Sequence, residues 1–433
     1  MPYQAGSRLP GEPASKLGHL DVLKSPLVRR LCESFDGTAP PRAPNVGWDA
    51  LPRVGADLPL VFAVDGSLQI ITNELPPHRT LAFVKTALLR IDRVALSNID
   101  PEMPHPLALR DLLTDAAVYH ATAFPMRHVT VPGMSVYDTV RQVIFESVKD
   151  PSLGGEVLET LKWLAYEKWD GAGRSLPPFQ CPNCERNTSL TFDSESGPCD
   201  QCGGEVFLTD MLGFHLEMAE DAAPDSIASA YMLVHETLLL FTGVRMFFEH
   251  NRNRLPDCLF LKDGPLSIRA QYSKLVTPIR RFFDAARAQG LNVCVVGQEK
   301  TGAFVDHLAL IGSHAPSSGL FVPGHDYVRT EVQHRPLTGD PYGVYTNYGA
   351  KVFLKLSERH SSVLSIPTGT YVRDPTLADL IGLDRILGTL PKLVSSRFES
   401  ALYPIELANN VASLSTYPSA KVLTLFADAA VAQ

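Results

Sequence analysis

The stretch Leu60-Val61-Phe62-Ala63-Val64-Asp65-Gly66-Ser67 decides how this chain folds. An apolar run bounded by Pro59 and by an Asp-Gly-Ser turn signal predicts a central strand that delivers a carboxylate to its C-terminal end. Leu68 to Thr72 then returns beside it as a hairpin, and Thr80 to Ile91 supplies a third strand. A second apolar run, Cys258 to Lys262, leads into Asp263-Gly264-Pro265 and ends in the same way. After it comes a helix with Thr277 as N-cap, Pro278 at its first position and Gly290 as its C-terminal cap. A further strand is predicted at Leu291 to Val296. Strand, helix, strand with short joins argues for parallel pairing, so the expected fold is α/β, with a mixed sheet flanked by helices.

Between these runs the apolar spacing turns helical. From about residue 107 to 170 residues recur three and four apart, as in Val136 to Val148 and Val157 to Trp169. Asp170 to Pro178 reads as a loop, and a long helix runs from Ile227 to about His250, with Asp225 or Ser226 as its cap. That helix is apolar on nearly every side between Tyr231 and Phe241, which implies deep burial. Residues 1–55 are rich in Pro and Gly, with a short helical stretch near Leu20 to Phe35. The chain therefore divides into an N-terminal extension (1–55), the first part of a split α/β domain (56–100), a helical insertion (101–224) and the second part of the domain (225–433).

The bulk properties are those of a globular chain. Of 433 residues, 45% are hydrophobic and 20% charged, which sets aside disordered and fibrous classes. A net charge of −8 excludes a surface coated in positive charge but leaves room for a locally basic groove. The N-terminus lacks the apolar core of a secretion signal, and the most apolar stretch, Tyr231 to Val244, is broken by His235 and Glu236. The expectation is a cytoplasmic protein with no membrane span.

Four of the seven cysteines form Cys181-Pro-Asn-Cys184 and Cys199-Asp-Gln-Cys202-Gly203-Gly204, with 14 residues between the pairs. Tight Cys-x-x-Cys turns at this spacing point thiolates inward as two zinc knuckles, and four soft ligands in a tetrahedron select zinc. With every position filled by protein, the zinc of this ribbon, placed at 178–208, is structural. Cys258 and Cys294 lie in apolar runs and read as core residues.

Glu236 is the other informative residue. A carboxylate inside the most apolar helix must be paired, hydrogen-bonded or metal-bound. If that helix packs beside Asp65 and Asp263, three like charges meet, and one or two divalent cations are an economical way to hold them. Such a cluster is the working site of two-metal phosphodiester hydrolysis. Taken singly, an Asp-Gly after a strand is more often only a turn.

Asp65-Gly66-Ser67, Glu236 in its apolar helix, Asp263-Gly264-Pro265-Leu266 and Gly297-Gln298-Glu299-Lys300-Thr301-Gly302, in this order, resemble the NurA nuclease family. The resemblance spans residues 58–95 and 225–425. It implies an RNase H-like fold, manganese- or magnesium-dependent cleavage of DNA, dimer formation, and partnership with a HerA-type hexameric ATPase in DNA end processing or anti-phage defence. The matching metal-binding acids are Asp65, Glu236 and Asp263. Glu249 is an alternative to Glu236, but its polar surroundings read as a solvated helix end. Lys300 matches a basic residue that holds a phosphate, or is a surface lysine in a turn. Ala401 to Asn410 is similar to the family's last motif, in which a helix beginning at Tyr403-Pro404 offers a further site residue. Asn409 stands where a His is frequent, and brings no charge. The insertion with its ribbon departs from a minimal NurA. Arg252, Arg254, Lys274, Arg280 and Arg281 are candidates to line a DNA path, against the alternative of a solvated helix face. A non-catalytic DNA-binding or scaffold subunit and an RNA-processing enzyme are the competing functions.

Overall fold

In the computed structural model the described residues are 22–35, 44, 46–73, 76–92, 117–219, 223–395, 400–414 and 419–431. Residues 1–44 and 45–433 are two compact units. In the first, a helix over Pro26–Glu33 starts at Ser25, whose hydroxyl accepts from Val28 N, with proline at its first position.

The second unit is organised by strand β1, Leu60–Thr72, which runs straight through Asp65-Gly66-Ser67. The expected turn there does not form. Both halves of the stretch pair with one partner, β2 (Thr80–Asp92), in a register unbroken from Leu60↔Asp92 to Thr72↔Thr80. The hairpin closes later, where the Asn73 side chain accepts from Arg79 N at 2.7 Å. Gly66 is outside the set of positive-φ glycines. Its missing side chain serves close approach instead, because a Cβ would lie 2.6 Å from Glu236 Oε1 and 2.7 Å from Met232 Cγ.

Strand β3, Ala117–Arg127, lies inside the stretch expected to be helical, and forms one edge of the main sheet by pairing with β2. Residues 93–116, where the change of pattern was placed, are outside the described residues. Helices α1 (Val136–Val148) and α2 (Glu156–Ala165) follow, close to their predicted positions. Two small hairpins, β4–β5 (Phe179–Gln180, Asn187–Thr188) and β6–β7 (Ser196–Pro198, Glu205–Phe207), carry the cysteines. Helix α3 then spans Ser226–His250; Asp225 occupies its cap position but makes no side-chain cap bond.

Next come β8 (Cys258–Asp263), α4 (Val276–Ala288) and β9 (Cys294–Glu299); β8–β9 is parallel as expected, and β1 also pairs with β8 in parallel. Thr277 and Pro278 fall inside α4, because a 3-10 turn over Ala270–Leu275 leads into the helix and replaces a side-chain cap. Strand β9 begins later than predicted. Leu291 N still bonds Ala286 O at 2.9 Å around the left-handed Gly290, so that residue belongs to the helix end. Helix α5 (Ala303–Gly312) and strands β10 (Gly319–Phe321), β11 (Ala350–Ser357) and β12 (His360–Ile366) complete a mixed sheet of order β10-β11-β12-β9-β8-β1-β2-β3. Helices α6 (Leu383–Thr389), α7 (Tyr403–Ala412) and α8 (Ser419–Val431) end the chain.

Period-two alternation divides the core. Phe62, Val64 and Phe260 face the layer containing α3, while Val61, Ala63, Leu259 and Leu261 face the layer of α6 and α7. Cys258 and Cys294 are buried core residues. Helix α3 is long and apolar enough to cross a membrane, but 83% of its most apolar window is buried inside the protein, where it acts as a core helix. Part of the N-terminal stretch is also integral, since Asp49 bridges Leu320 and Val46 and Trp48 pack against a buried cluster.

In an open strand Gly→Ala is favourable by about 0.5–1 kcal/mol. At Gly66 the clash with Glu236 reverses the sign. Gly66→Ala is expected to lower the unfolding free energy by about 1–3 kcal/mol in denaturant titration; a stabilised variant would mean that Glu236 does not approach this strand.

Candidate active site and metal centre

The register of the parallel strands places two acids together. Val64 pairs with Lys262, so Asp65 and Asp263 are the next residues of neighbouring strands, at the point where β1 loses its β8 partner. Asp263 pairs in turn with Gln298 of β9. By alternation Asp65, Asp263 and Gln298 form a row on the α7 side of the sheet. Glu236 arrives from α3 on the other side, over the gap left by Gly66.

Asp65 is buried, and its Oδ1 accepts from Gly66 N at 2.7 Å, while its buried Oδ2 has no hydrogen-bond partner among the described residues. Burial, then the neighbouring Asp263 and Glu236 carboxylates, push its pKa from 3.8 up to about 8. Glu236 is 3% exposed and faces Lys262, itself 1% exposed, with Nζ donating to Oε2 at 2.6 Å. The same ammonium donates to Asp263 O at 3.0 Å. Burial alone would lower the Lys262 pKa, but the facing Glu236 carboxylate outweighs it and the pKa is raised. Lys300 Nζ donates to Asp263 Oδ2 at 2.9 Å.

The charge of Glu236, taken from the sequence as a demand for cations, is therefore met by a lysine. Sequence reasoning missed Lys262. Its signal was a cationic residue inside an apolar strand, at the alternation that faces α3. It also left Gln298 without a role. Gln298 is buried, its Nε2 donates to Ser400 O at 2.6 Å and Ser362 Oγ at 3.3 Å, and its Oε1 is buried without a partner. Glu249 is exposed and paired with Arg245 at 2.7 Å, away from this cluster of acids. Asn409 is exposed on α7.

The basic candidates do not form one path, though Lys274 and Arg281 line a common recess. Arg252 covers the Phe248 ring at 4.2 Å, and Arg254 lies 3.7 Å from Asp257; both precede the start of β8, whereas Asp263 ends it. Arg280 is a staple rather than a phosphate contact, donating to Val344 O at 2.7 Å and Gly343 O at 2.9 Å and stacking on Tyr371. Lys274 is exposed, and Arg281 is half-exposed against the buried Glu167.

The four cysteines converge. Their ligand atoms lie within 4.8 Å of one another, with Cys181 Sγ 3.9 Å from Cys202 Sγ and Cys184 Sγ 4.0 Å from Cys199 Sγ. Two like knuckles build the set. Asn183 N and Gln201 N each donate to a sulfur at 3.3 Å, and the turns close through Glu185 N to Cys181 O and Gly203 N to Cys199 O. Gly203 takes the left-handed conformation, as does Glu185 in the first knuckle. These edges suit a tetrahedral metal with bonds of about 2.3 Å to sulfur, so the site can hold a structural metal ion. It is the sole group of three or more His, Cys, Asp or Glu drawn this close among the described residues. The three acids stand further apart, with Lys262 and Lys300 bonded to two of them.

No protein-family model matches this chain, and none of the curated proteins matches it.

Lys262→Met leaves Glu236 buried and uncompensated, so it is expected to cost about 3–5 kcal/mol in equilibrium unfolding. Adding Glu236→Leu to Lys262→Met should recover most of that loss, and a neutral single variant would show that the pair does not form.

Proposed function

We propose that this chain is a divalent-metal-dependent DNA nuclease of the kind its sequence resembles, a NurA-type enzyme on an RNase H-like fold. The antiparallel meander β3–β2–β1 adjoining the parallel strands β8 and β9 is compatible with that fold. The observation that carries the function is the orphaned, buried Asp65 Oδ2, with Asp263 at the end of the adjacent parallel strand and Glu236 on the helix packed over Gly66. A carboxylate oxygen kept dry without a partner, with its pKa raised by like charges, fits a position completed by a cation.

Asp65, Asp263 and Glu236 are the residues that would hold Mn²⁺ or Mg²⁺. Bound there, the metal supplies Lewis acidity to the phosphodiester and makes its water a better nucleophile. Lys300 is about one-third exposed and held only at its ammonium, so it can exchange Asp263 for a substrate phosphate oxygen and act as a point charge beside it. Lys262 stays buried and keeps Glu236 oriented toward Gly66. Gln298, tied to Ser400 O and Ser362 Oγ, fixes the strand end next to Asp263. The resemblance adds a HerA-type hexameric ATPase and a second copy of the chain as partners. The cysteine set is proposed to hold structural zinc, since four thiolates favour it over harder ions.

One observation favours a second reading, a non-catalytic DNA-binding or scaffold subunit. The acids already have two lysines among them, so Glu236 and Asp263 are balanced without a metal.

Purified protein with Mn²⁺ is expected to degrade linear single- or double-stranded DNA, with rates falling at least about 100-fold in Asp65→Asn and Asp263→Asn. Equal degradation by these variants would mark a contaminant, and a wild type inert with and without its ATPase would favour the scaffold. Elemental analysis should give one zinc per chain, lost in Cys199→Ser along with protection of residues 179–207 from protease; full protection without metal would remove the structural role.

A further inference from the structure

A second site lies between the approach to the cysteine hairpins and the start of α4. It is a recess of about 520 Å³, with Arg174, Lys274, Arg281 and Tyr345 in its lining and Pro177-Pro178 on one wall. Three cations meet there on a chain of net charge −8, and the one carboxylate among the lining residues, Glu167, is buried. Glu167 holds Arg174 Nε at 2.9 Å and Arg281 Nη1 at 2.6 Å, yet these arginines remain 56% and 50% exposed. Their orientation is thus fixed from below while donors stay open to solvent. Lys274 is exposed and has no ion pair among the described residues.

Tyr345 is 62% exposed, so its ring faces are open to solvent at the edge of the recess. Its backbone is pinned on both sides: Val344 O accepts from Arg280 at 2.7 Å, and Thr346 O accepts from Ile268 N at 2.9 Å. An open ring on a clamped segment is a preorganised stacking platform. Three residues on, within about 11 Å of chain, Tyr348 is buried with its hydroxyl 3.4 Å from Thr237 Oγ1, on the residue next to Glu236. One short segment thus ties the recess to the acid cluster.

We infer that this recess binds single-stranded nucleic acid, with Arg174, Lys274 and Arg281 on backbone phosphates and a base stacked on Tyr345. Placing it as the entry to a catalytic centre rests on the nuclease reading; the binding itself does not. A recess of this size admits a splayed nucleotide, whereas a duplex keeps its base faces stacked inside and offers Tyr345 nothing to stack on. The argument accounts for both features at once, because an acidic peptide would use the cations but not the ring.

The test is fluorescence anisotropy with a labelled oligothymidylate and no added divalent ion, so that no cleavage occurs. Tyr345→Ala should weaken binding roughly tenfold and Tyr345→Trp should retain it. Lys274→Gln with Arg281→Gln should flatten the dependence of log affinity on log salt by about 0.7 per lost contact. Thermal melting of each variant confirms that the fold is intact. Wild-type affinity and salt dependence in these variants would overturn the inference, as would equal losses for duplex DNA, or displacement by polyglutamate as effective as by oligonucleotide. Asp65→Asn should bind as the wild type does. Cleavage with unaltered binding in the groove variants therefore sinks the recess alone, and binding that behaves as expected in a protein that never cleaves sinks only the nuclease.

Discussion

The buried contact between Lys262 and Glu236 is the constraint around which the acid cluster is arranged. Two charges at 2.6 Å, both almost wholly removed from water, are tolerable only while each has the other. Glu236 must therefore stay within reach of β8, and α3 must lie close against the sheet. That proximity excludes any side chain at residue 66, where a Cβ would meet the Glu236 carboxylate. The glycine in Asp65-Gly66-Ser67 is thus explained by a charge on a helix 170 residues further along the chain.

The same contact sets the electrostatics of its neighbours. Lys262 is committed to Glu236 and Lys300 to Asp263, which leaves Asp65 as the acid without a cation of its own. Its Oδ2 has no donor, and burial together with the two acids beside it favours the neutral form. Two carboxylates at the strand ends and one on the helix above are held together because Glu236 and Asp263 are ion-paired, while burial raises the pKa of both Asp65 and Glu236. The acids thus have protein cations to compensate them, whereas among the described residues no cationic side chain is paired with the thiols.

What could be read in the sequence was what depends on short-range pattern. Apolar runs located β1, β8 and the core helix α3, and Cys-x-x-Cys spacing located the two knuckles. The errors share a cause. Asp65-Gly66-Ser67 looks like a turn because Asp-Gly commonly is one, and only the long-range fit of Glu236 over Gly66 shows otherwise. β3 was hidden because an edge strand has one partner, and its pattern of mixed burial gives neither a clean alternation nor a helical stripe. Arg280 looked like a phosphate contact because a sequence does not reveal which carbonyls a guanidinium will reach. The row of Asp65, Asp263 and Gln298 depends on register, which is set by pairing across nearly 200 residues.

The cysteine hairpins are part of this architecture and not a bead hung on it. Cys181, Cys199 and Val206 pack in the same buried cluster as α3, and Tyr137 OH of α1 donates to Pro182 O at 3.0 Å inside the first knuckle. Just beyond the second hairpin, Asp210 receives Arg141 of α1 through two bonds of 3.0 and 2.9 Å, with both residues buried. A metal holding the four sulfurs therefore also fixes Phe179 and the Pro177-Pro178 wall that lead into the first hairpin. Those residues line the basic recess, whose far side is held by α4 and by the segment that ends at Tyr348. The hairpins thus bear directly on the recess and only through the intervening core on the acids. A defect in the knuckles should reach the recess first.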